Sequence, residues 1–455
     1  SQILARHGGR PYEGRLYRHL SVFYREYSRY RDSVDAAEVF RSQYPDHELA
    51  PVLADEAIRS WVVGNFPERA REAKARFIED YGDLETAADL DRKRRDRLMD
   101  SLKELGIWHY RLAQDSDESD EDFRSASRYL AQWADLHERF PSGNRFETPG
   151  LMLLLAGDAS QSAGDTDTAM ALYERAAYRS PPFPAAREAG YALLQLRHEH
   201  WEQGSGSGAQ LDRLVRDATR FIQIFSGNPR VPSVRHELAN ILYDNERHEH
   251  ARQVAEALVA SSAADRHKRA GWIVIGNVAL ENAAYATAEK AWDQVLSLTP
   301  EDDKRRPEFR RRIAVSIYHR GEQAREAGEA DAALDHFWRA SRVAPEAEAG
   351  ISAAFDRAGL LLEVERWFKA ISALRNFRDR YPEHELTPRI SERLVYAYLQ
   401  SEEPGRAADE MMAYEPRDLS ATELWEYRLD AAYHYRNAER LSEAAAIHES
   451  FLREG

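Results

Sequence analysis

The chain has 455 residues, 63 Lys and Arg against 78 Asp and Glu, and a formal charge of −15. That balance argues against a general nucleic-acid binder, which needs surplus cations to displace counterions from phosphates, and suits a soluble protein whose partners are proteins or basic segments. Cysteine is absent, which excludes disulfides, thiolate nucleophiles and cysteine zinc sites and fits an oxidising compartment such as a periplasm, with the cytosol as the alternative.

In chain order, the first informative segment is FRSQYPDHELAP, Phe40 to Pro51, which returns as FRDRYPEHELTP, Phe377 to Pro388, with eight of the twelve positions identical. Counting twelve residues back from Pro45 and Pro382 reaches Ser33 and Ala370. Ala37 and Leu374 stand four on, Phe40 and Phe377 seven on. These offsets share one helix face, with the proline just past the helix end. The frame recurs as Ala70, Lys74, Phe77 and Tyr81; as Ala169, Tyr173, Ala176 and Pro181; and as Ala251, Ala255 and Leu258. It recurs again as Ala288, Trp292, Val295 and Pro300, and as Ala333, Phe337, Ala340 and Pro345. Looser copies begin at Tyr129, Leu214, Ala407 and Ala444. The eleven origins are 33, 70, 129, 169, 214, 251, 288, 333, 370, 407 and 444; six of the ten spacings are 37, and eight origins are alanine. A small residue there lets two helices approach, and the larger residue four on fills the space beside it.

Each origin belongs to the second helix of a pair. Second helices are predicted to end near residues 45, 82, 141, 181, 226, 263, 300, 345, 382, 419 and 455. Insertions are expected near 83–122, 203–210 and 300–308. The first carries Leu90, Leu98, Leu102, Leu105 and Trp108 on a lengthened helix, then the acidic loop DSDESDED, Asp115 to Asp122; the second is the flexible loop QGSGSGAQ. Such amphipathic helices cannot bury their apolar stripes singly. Stacked, they form an all-α, right-handed superhelical solenoid of about eleven repeats with an inner groove, one array over 1–455. No stretch approaches the roughly 18 apolar residues of a membrane span. The chain begins at Ser1 rather than Met and ends where its last helix should end, so it is expected to be a fragment of a longer chain, which leaves room for a leader or anchor outside it.

Trp272, Ile275, Gly276 and Ala279, followed by Tyr285 and Ala288, resemble the tetratricopeptide repeat. Leu394 and Tyr398 match it before Ala407, Gly157 and Gly164 before Ala169, and Gly321 before Ala333. The 37-residue period, with Tyr/Phe-Pro-X-His/Asn-X-X-X-Pro after the second helix, is similar to bacterial envelope members of that family, among them outer-membrane assembly lipoproteins and periplasmic coordinators of cell division. The resemblance implies a peptide-binding groove lined by outward positions of the first helices. Here those are His236, Asn240, Tyr243 and Asp244; Asn277 and Glu281; Tyr318 and Arg325; Tyr396 and Gln400; and Tyr433, Arg436 and Asn437. Tyrosine and asparagine give adaptable contacts at low entropic cost, though some tyrosines in such positions merely pack on the next repeat. The lysine that some members pair with asparagine to clamp a terminal carboxylate is missing from both corresponding pairs, His236 with Asn240 and Ile273 with Asn277.

Other motifs are weaker. His198-Glu199-His200 and His248-Glu249-His250 put their histidines about 200° apart on a helix, so neither makes a metal site. The acidic loop lacks the glycine and glutamate of a calcium loop, and GSGSG lacks the context of a hydrolase elbow or phosphate loop. Arg92 to Arg97, interleaved with Asp91 and Asp96, reads as a salt-bridged exposed helix. Lys304, Arg305, Arg306, Arg310, Arg311 and Arg312 form a basic cluster that suits an acidic partner or anionic lipid heads. No catalytic, cofactor or metal residues are indicated, and no enzyme is expected. The sequence points to a scaffold binding peptide or protein segments, within a bacterial envelope assembly, periplasmic or at the outer membrane. The alternative is an architectural spacer whose flanking domains carry the activity.

Overall fold

The computed structural model describes residues 9, 12–115, 119–141, 148–204, 208–416 and 419–454. Among the described residues there is no strand, and two compact units divide the chain, Ser1–Val231 and Pro232–Gly455. The first holds α1 (Glu13–Glu26), α2 (Tyr30–Gln43), α3 (Ala50–Val63), α4 (Pro67–Tyr81), α5 (Leu84–Asp89), α6 (Arg92–Gln114), α7 (Asp120–Arg139), α8 (Pro149–Ser162), α9 (Thr166–Tyr178), α10 (Ala186–Gln203) and α11 (Gly208–Ile224). Opening at the boundary, α12 (Val231–Asp244) leads the second. It is followed by α13 (His248–Val259), α14 (Asp265–Glu281), α15 (Tyr285–Ser297), α16 (Arg306–Glu326), α17 (Ala330–Val343), α18 (Glu348–Glu363), α19 (Trp367–Arg380), α20 (Pro388–Gln400), α21 (Pro404–Ala413), α22 (Ala421–Asn437) and α23 (Leu441–Glu454). Apart from the short α5, these are eleven helix pairs.

One backbone device closes nine of the eleven hairpins. Ser28, Asn65, Gly164, Glu246, Ala283, Gly328, Glu365, Glu402 and Glu439 all have positive φ. Each stands five residues before a frame origin: 33, 70, 169, 251, 288, 333, 370, 407 and 444. A left-handed residue just past a helix end turns the next N–H back onto the last helical turn. The same bond accordingly recurs, from Arg29 to the carbonyl of Tyr24, Phe66 to Trp61, Asp165 to Ser160, Arg247 to Leu242 and Glu329 to Ala324, at 2.8–3.0 Å. In the two remaining hairpins residues 116–118 and 205–207 lie outside the described residues; of the loops expected there, Asp120 to Asp122 are instead the first turn of α7, and residues 208–210 the first turn of α11.

This fixed turn brings the second helix against the first at one level. The origin alanines 169, 251, 288, 333, 370 and 407 are completely buried. Four residues on, a large side chain lies over a glycine of the first helix. A Cβ added at Gly157 would stand 2.6 Å from the Tyr173 ring, at Gly276 2.8 Å from Trp292, and at Gly321 2.7 Å from Phe337. Around these contacts the first unit buries Phe77, Leu98, Leu102, Leu130, Trp133 and Tyr173. Trp292, Ile313, Phe337 and Leu361 are the centre of one cluster in the second unit, and Leu374, Phe377 and Leu394 of another.

Both copies of the duplicated phrase fold alike, each within its own unit. The helix ends as Tyr44 N–H bonds Phe40 O and Tyr381 N–H bonds Phe377 O, both at 2.9 Å. The histidine then folds back, so that His47 Nδ1 accepts from Leu49 N–H at 3.1 Å and His384 Nδ1 from Leu386 N–H at 3.3 Å. Each imidazole meets the helix phenylalanine edge-on.

Two sequence expectations shift. In α7 the buried positions include Ala126, Leu130, Trp133 and Ala134 while Tyr129 is only half-buried; this 20-residue helix carries extra length past its contact, so the frame counted back from Pro141 falls off register. Helix α21 stops at Ala413 rather than near 419, because Pro416 disfavours helical backbone at the residue before it.

Exposed non-glycine residues in the left-handed region cost roughly 1 kcal/mol each. Glu246→Gly, Glu365→Gly and Glu402→Gly should therefore each stabilise the second unit by about 0.5–1 kcal/mol, read as a raised urea midpoint. Gly321→Ala should have the opposite effect, costing about 1–3 kcal/mol because Phe337 must leave its position.

Candidate functional site

The first helices of the second unit are joined sideways by polar rungs. Tyr243 in α12, eight residues before its frame origin, donates to Glu281 in α14, seven before the next origin, at 2.5 Å. His248 stacks on the Tyr243 ring and pairs its Nδ1 with the other Glu281 oxygen at 3.0 Å. Burial, then the bond to Glu281, pushes the Tyr243 pKa up to about 12. Arg325 in α16 and Glu363 in α18 occupy the equivalent two positions and form an ion pair. One helical stretch earlier, Tyr318 donates to Asp356 at 2.8 Å, and burial raises its pKa.

The remaining groove candidates differ in exposure. His236 and Asn240 bond each other at 3.0 Å, the His236 ring also meets His267 edge-on, and burial lowers its pKa. Asn277 is half-buried; Asp244, Gln400 and Asn437 are exposed. Tyr396 and Tyr433 are 49% and 52% exposed. They hold the same frame position, eleven before origins 407 and 444. Trp367 supports Tyr396 edge-on, and the Arg436 guanidinium lies 5.2 Å from the Tyr433 ring centre. The structure thus divides the candidates into side chains already spent on rungs and side chains with a free face.

The chain is built of tetratricopeptide-like repeats. That statement rests on its own turns, glycine–aromatic contacts and 37-residue register. No family model matches the chain, and no curated protein sequence matches it. Solved structures similar to it include a tetratricopeptide repeat protein from Parabacteroides merdae at 16% identity, covering 62% of this chain and 98% of that one with a TM-score of 0.29. The TPR2AB domain of yeast Sti1, in its complex with pHSP90, is 14% identical over 66% of this chain and 98% of that one, TM-score 0.29. Yeast Tom70 is 13% identical over 97% and 99%, TM-score 0.24. Likenesses at that level carry no argument for this chain.

Sequence reasoning missed two buried ionic clusters in this repeat array. In α3, Asp55 and Glu56 are almost fully buried. Arg97 and Arg59 reach Asp55 at 2.7 and 3.1 Å, and Arg25 bonds Glu56. Asp55 stands fifteen before its origin, the frame position of His236 and Tyr318, so a carboxylate belted by arginines occupies the corresponding level in the first unit. In the second unit Glu289 of α15, likewise buried, is held by Arg320 and Arg339. Apart from Arg59, one turn along the same helix, their arginines arrive from elsewhere in the chain, so the local sequence does not mark these acids as buried.

The basic cluster keeps an excess of positive charge, its six cations meeting two carboxylates, Asp303 and Glu308. Arg305 grips Asp303 at 2.7 Å, Arg306 donates to the carbonyls of Leu296 and Thr299, and Arg311 and Arg312 share Glu308. Lys304 and Arg310 are the exposed remainder. His198 pairs with Glu202 and stacks on Trp201, as His248 serves the Tyr243 rung. Among the described residues no three potential ligands gather closely enough to hold a metal ion, and no helix is long and apolar enough to cross a membrane.

The Glu289 cluster makes stability depend on pH. Burial opposes its ionisation, but the hydrogen bonds and charges of Arg320 and Arg339 outweigh that and hold the carboxyl below its usual range. A folded pKa below the unfolded one stabilises the fold above the unfolded value, 4.5 for glutamate, and that contribution is lost as pH falls through the folded value. Urea titrations should show the second unit weakening as pH drops below about 4.5, and Glu289→Gln should flatten that limb. At pH 7 the same change should cost about 3 kcal/mol, as expected when one partner of a buried ionic group is removed.

Proposed function

We propose that the second unit is a protein-interaction scaffold that holds an extended protein segment along the first helices of its last repeats. The observation that carries this reading is the pair of half-exposed tyrosines, Tyr396 and Tyr433, at one frame position in successive repeats. Each has a polar side chain four residues on along the helix, Gln400 or Asn437. Such a pair presents a ring and an amide at a regular repeat, which suits a ligand running across the helices: the rings supply contact area with few torsions to freeze, and the amides bond main-chain groups of any sequence. Tyr243, Tyr318 and Arg325 serve differently, holding neighbouring first helices in register through Glu281, Asp356 and Glu363.

The setting we favour is a bacterial envelope assembly, on the periplasmic side or at the outer membrane. Support for it is the Tyr-Pro-X-His phrase after the second helix, the absence of cysteine and the acidic surface. The role is adaptor rather than catalyst: the buried carboxylates of Asp55 and Glu289 are paired with arginines from neighbouring helices, which holds those helices together.

Affinity purification with the intact chain, followed by quantification of the recovered partner, tests the groove. Tyr396→Ala combined with Tyr433→Ala should lower recovery at least tenfold, about 1.4 kcal/mol, with the helical circular dichroism unchanged. Tyr243→Phe should leave recovery intact while lowering the melting temperature. Undiminished recovery by the double variant would remove the groove assignment.

A further inference from the structure

The first unit contains a cavity of about 370 Å³ between the α3–α4 hairpin and α6, lined by Trp61, Val62, Phe66, Leu105 and Trp108 with Arg71, Lys74 and Glu104 at its polar side. Its position follows from the repeat register. Val62 stands eight before origin 70, the position that Tyr243 and Arg325 hold in the second unit. Those residues bridge to a carboxylate on the next first helix. Val62 has no polar atom to do so, and α6 presents Leu105 and Trp108 there. Helix α3 still meets α6 near its start, through Asp55 and Arg97 at 2.7 Å. Towards their later turns the rung is replaced by an unfilled apolar space. Val62 is 52% and Phe66 39% exposed, and Leu112, one turn beyond Trp108, is 39% exposed.

The charges at the cavity decide what it takes. Lys74 is paired with Glu104. Arg71 lies over the Trp108 ring, its guanidinium carbon 4.5 Å from the ring centre, and forms no ion pair among the described residues. Aromatic walls alone would suit a quaternary ammonium or a lysine head. Two cations against one carboxylate repel such a ligand and favour an anion. The volume falls within the range of about 300–1,000 Å³ typical of ligand pockets and holds a whole aromatic side chain. A guanidinium oriented by a ring keeps its outer N–H groups for a carboxylate.

We propose that this cavity is a second docking site, specific for a protein segment that inserts one aromatic or large aliphatic side chain beside an aspartate or glutamate. The apolar side chain packs between Trp61, Phe66 and Trp108, and the neighbouring carboxylate pairs with Arg71. This site shares no residue with the groove of the second unit and stands or falls apart from it.

Fluorescence anisotropy on the full chain tests the site, using a fluorescein-labelled nonapeptide with a central phenylalanine between pairs of acidic residues. Saturable binding is expected. It should weaken at least tenfold when the phenylalanine is replaced by alanine, in Trp108→Ala, and in Arg71→Glu. The Arg71→Glu chain should instead gain affinity for the same peptide with lysines in place of the acids, an inversion that a merely loosened fold would not produce. Tyr396→Ala and Tyr433→Ala should leave all of these values unchanged. Absence of saturation up to about 1 mM, equal binding of the alanine peptide, or indifference to Arg71→Glu would each overturn the proposal. Displacement by free N-acetylphenylalanine as tight as the peptide's own binding would overturn it in favour of a small aromatic acid.

Discussion

The arrangement depends on how closely the two helices of a repeat can approach, and that distance is set by a single turn conformation. A residue with positive φ five places before the frame origin returns the chain so that the origin alanine meets the first helix without a gap. The large side chain one turn later then has only one place to go, over a glycine or another small residue. Where the contact is Gly276 with Trp292 or Gly321 with Phe337, less than 3 Å separates the ring from the place a methyl carbon would occupy. Dispersion falls steeply with distance, so this fit makes the hairpin a rigid unit, and the rigid unit makes a repeating surface.

Rigid hairpins still need fixing to one another, and the chain does this in two ways. Second helices contribute apolar side chains to clusters that run from one pair into the next, such as Trp292, Ile313 and Phe337. First helices, whose outward faces are polar, are tied by hydrogen bonds and ion pairs: Tyr243 to Glu281, Tyr318 to Asp356, Arg325 to Glu363. Exposed pairs of this kind contribute little energy individually. Their effect is to specify register: Tyr243–Glu281 and Arg325–Glu363 join the same two frame positions, and Tyr318–Asp356 joins the two positions seven residues earlier. A side chain at such a position is therefore either a rung or a contact for something outside the chain, and its partner within the chain says which.

Much of this was legible in the sequence because the repeat is a packing requirement. Alanine, the aromatic four on and the proline past the end recur because helices of fixed pitch must meet at fixed levels, and Gly157, Gly276 and Gly321 stood out for the same reason. The left-handed turn was less legible. Only Gly164 and Gly328 mark it, while Glu246, Ala283 and Glu365 reach the same φ without any compositional sign. Tyr129 misled because the frame was counted from Pro141, and a longer helix separates that proline from its contact. The division of the groove candidates was not read from the sequence, where Tyr243 and Tyr396 are both outward tyrosines; they stand at different frame positions, eight and eleven before their origins, and Tyr243 meets a carboxylate on the next first helix. Asp55, Glu56 and Glu289 were invisible too: a buried acid is recognisable only with its arginines, and the ones hydrogen-bonded to Glu56 and Glu289 come from positions 31 to 50 residues away.

The insertion before α6 shows what happens when the register is interrupted. A repeat that arrives after 59 residues instead of 37 cannot reproduce both sets of contacts. The apolar one is kept, for Leu98, Leu102 and Leu105 join the cluster of Phe77 and Trp133. The polar one is kept only at the Asp55–Arg97 end. Further along α3 the residue at the rung position is Val62, which has no polar side-chain atom, and α6 faces it with Leu105 and Trp108 while its Glu104 is taken by Lys74 of α4; exposed apolar surface at a gap is costly unless covered. The lengthened helix thus converts a position used elsewhere for holding the array together into one with an unmet apolar contact, and Arg71, poised on the Trp108 ring, gives that unmet contact a charge preference.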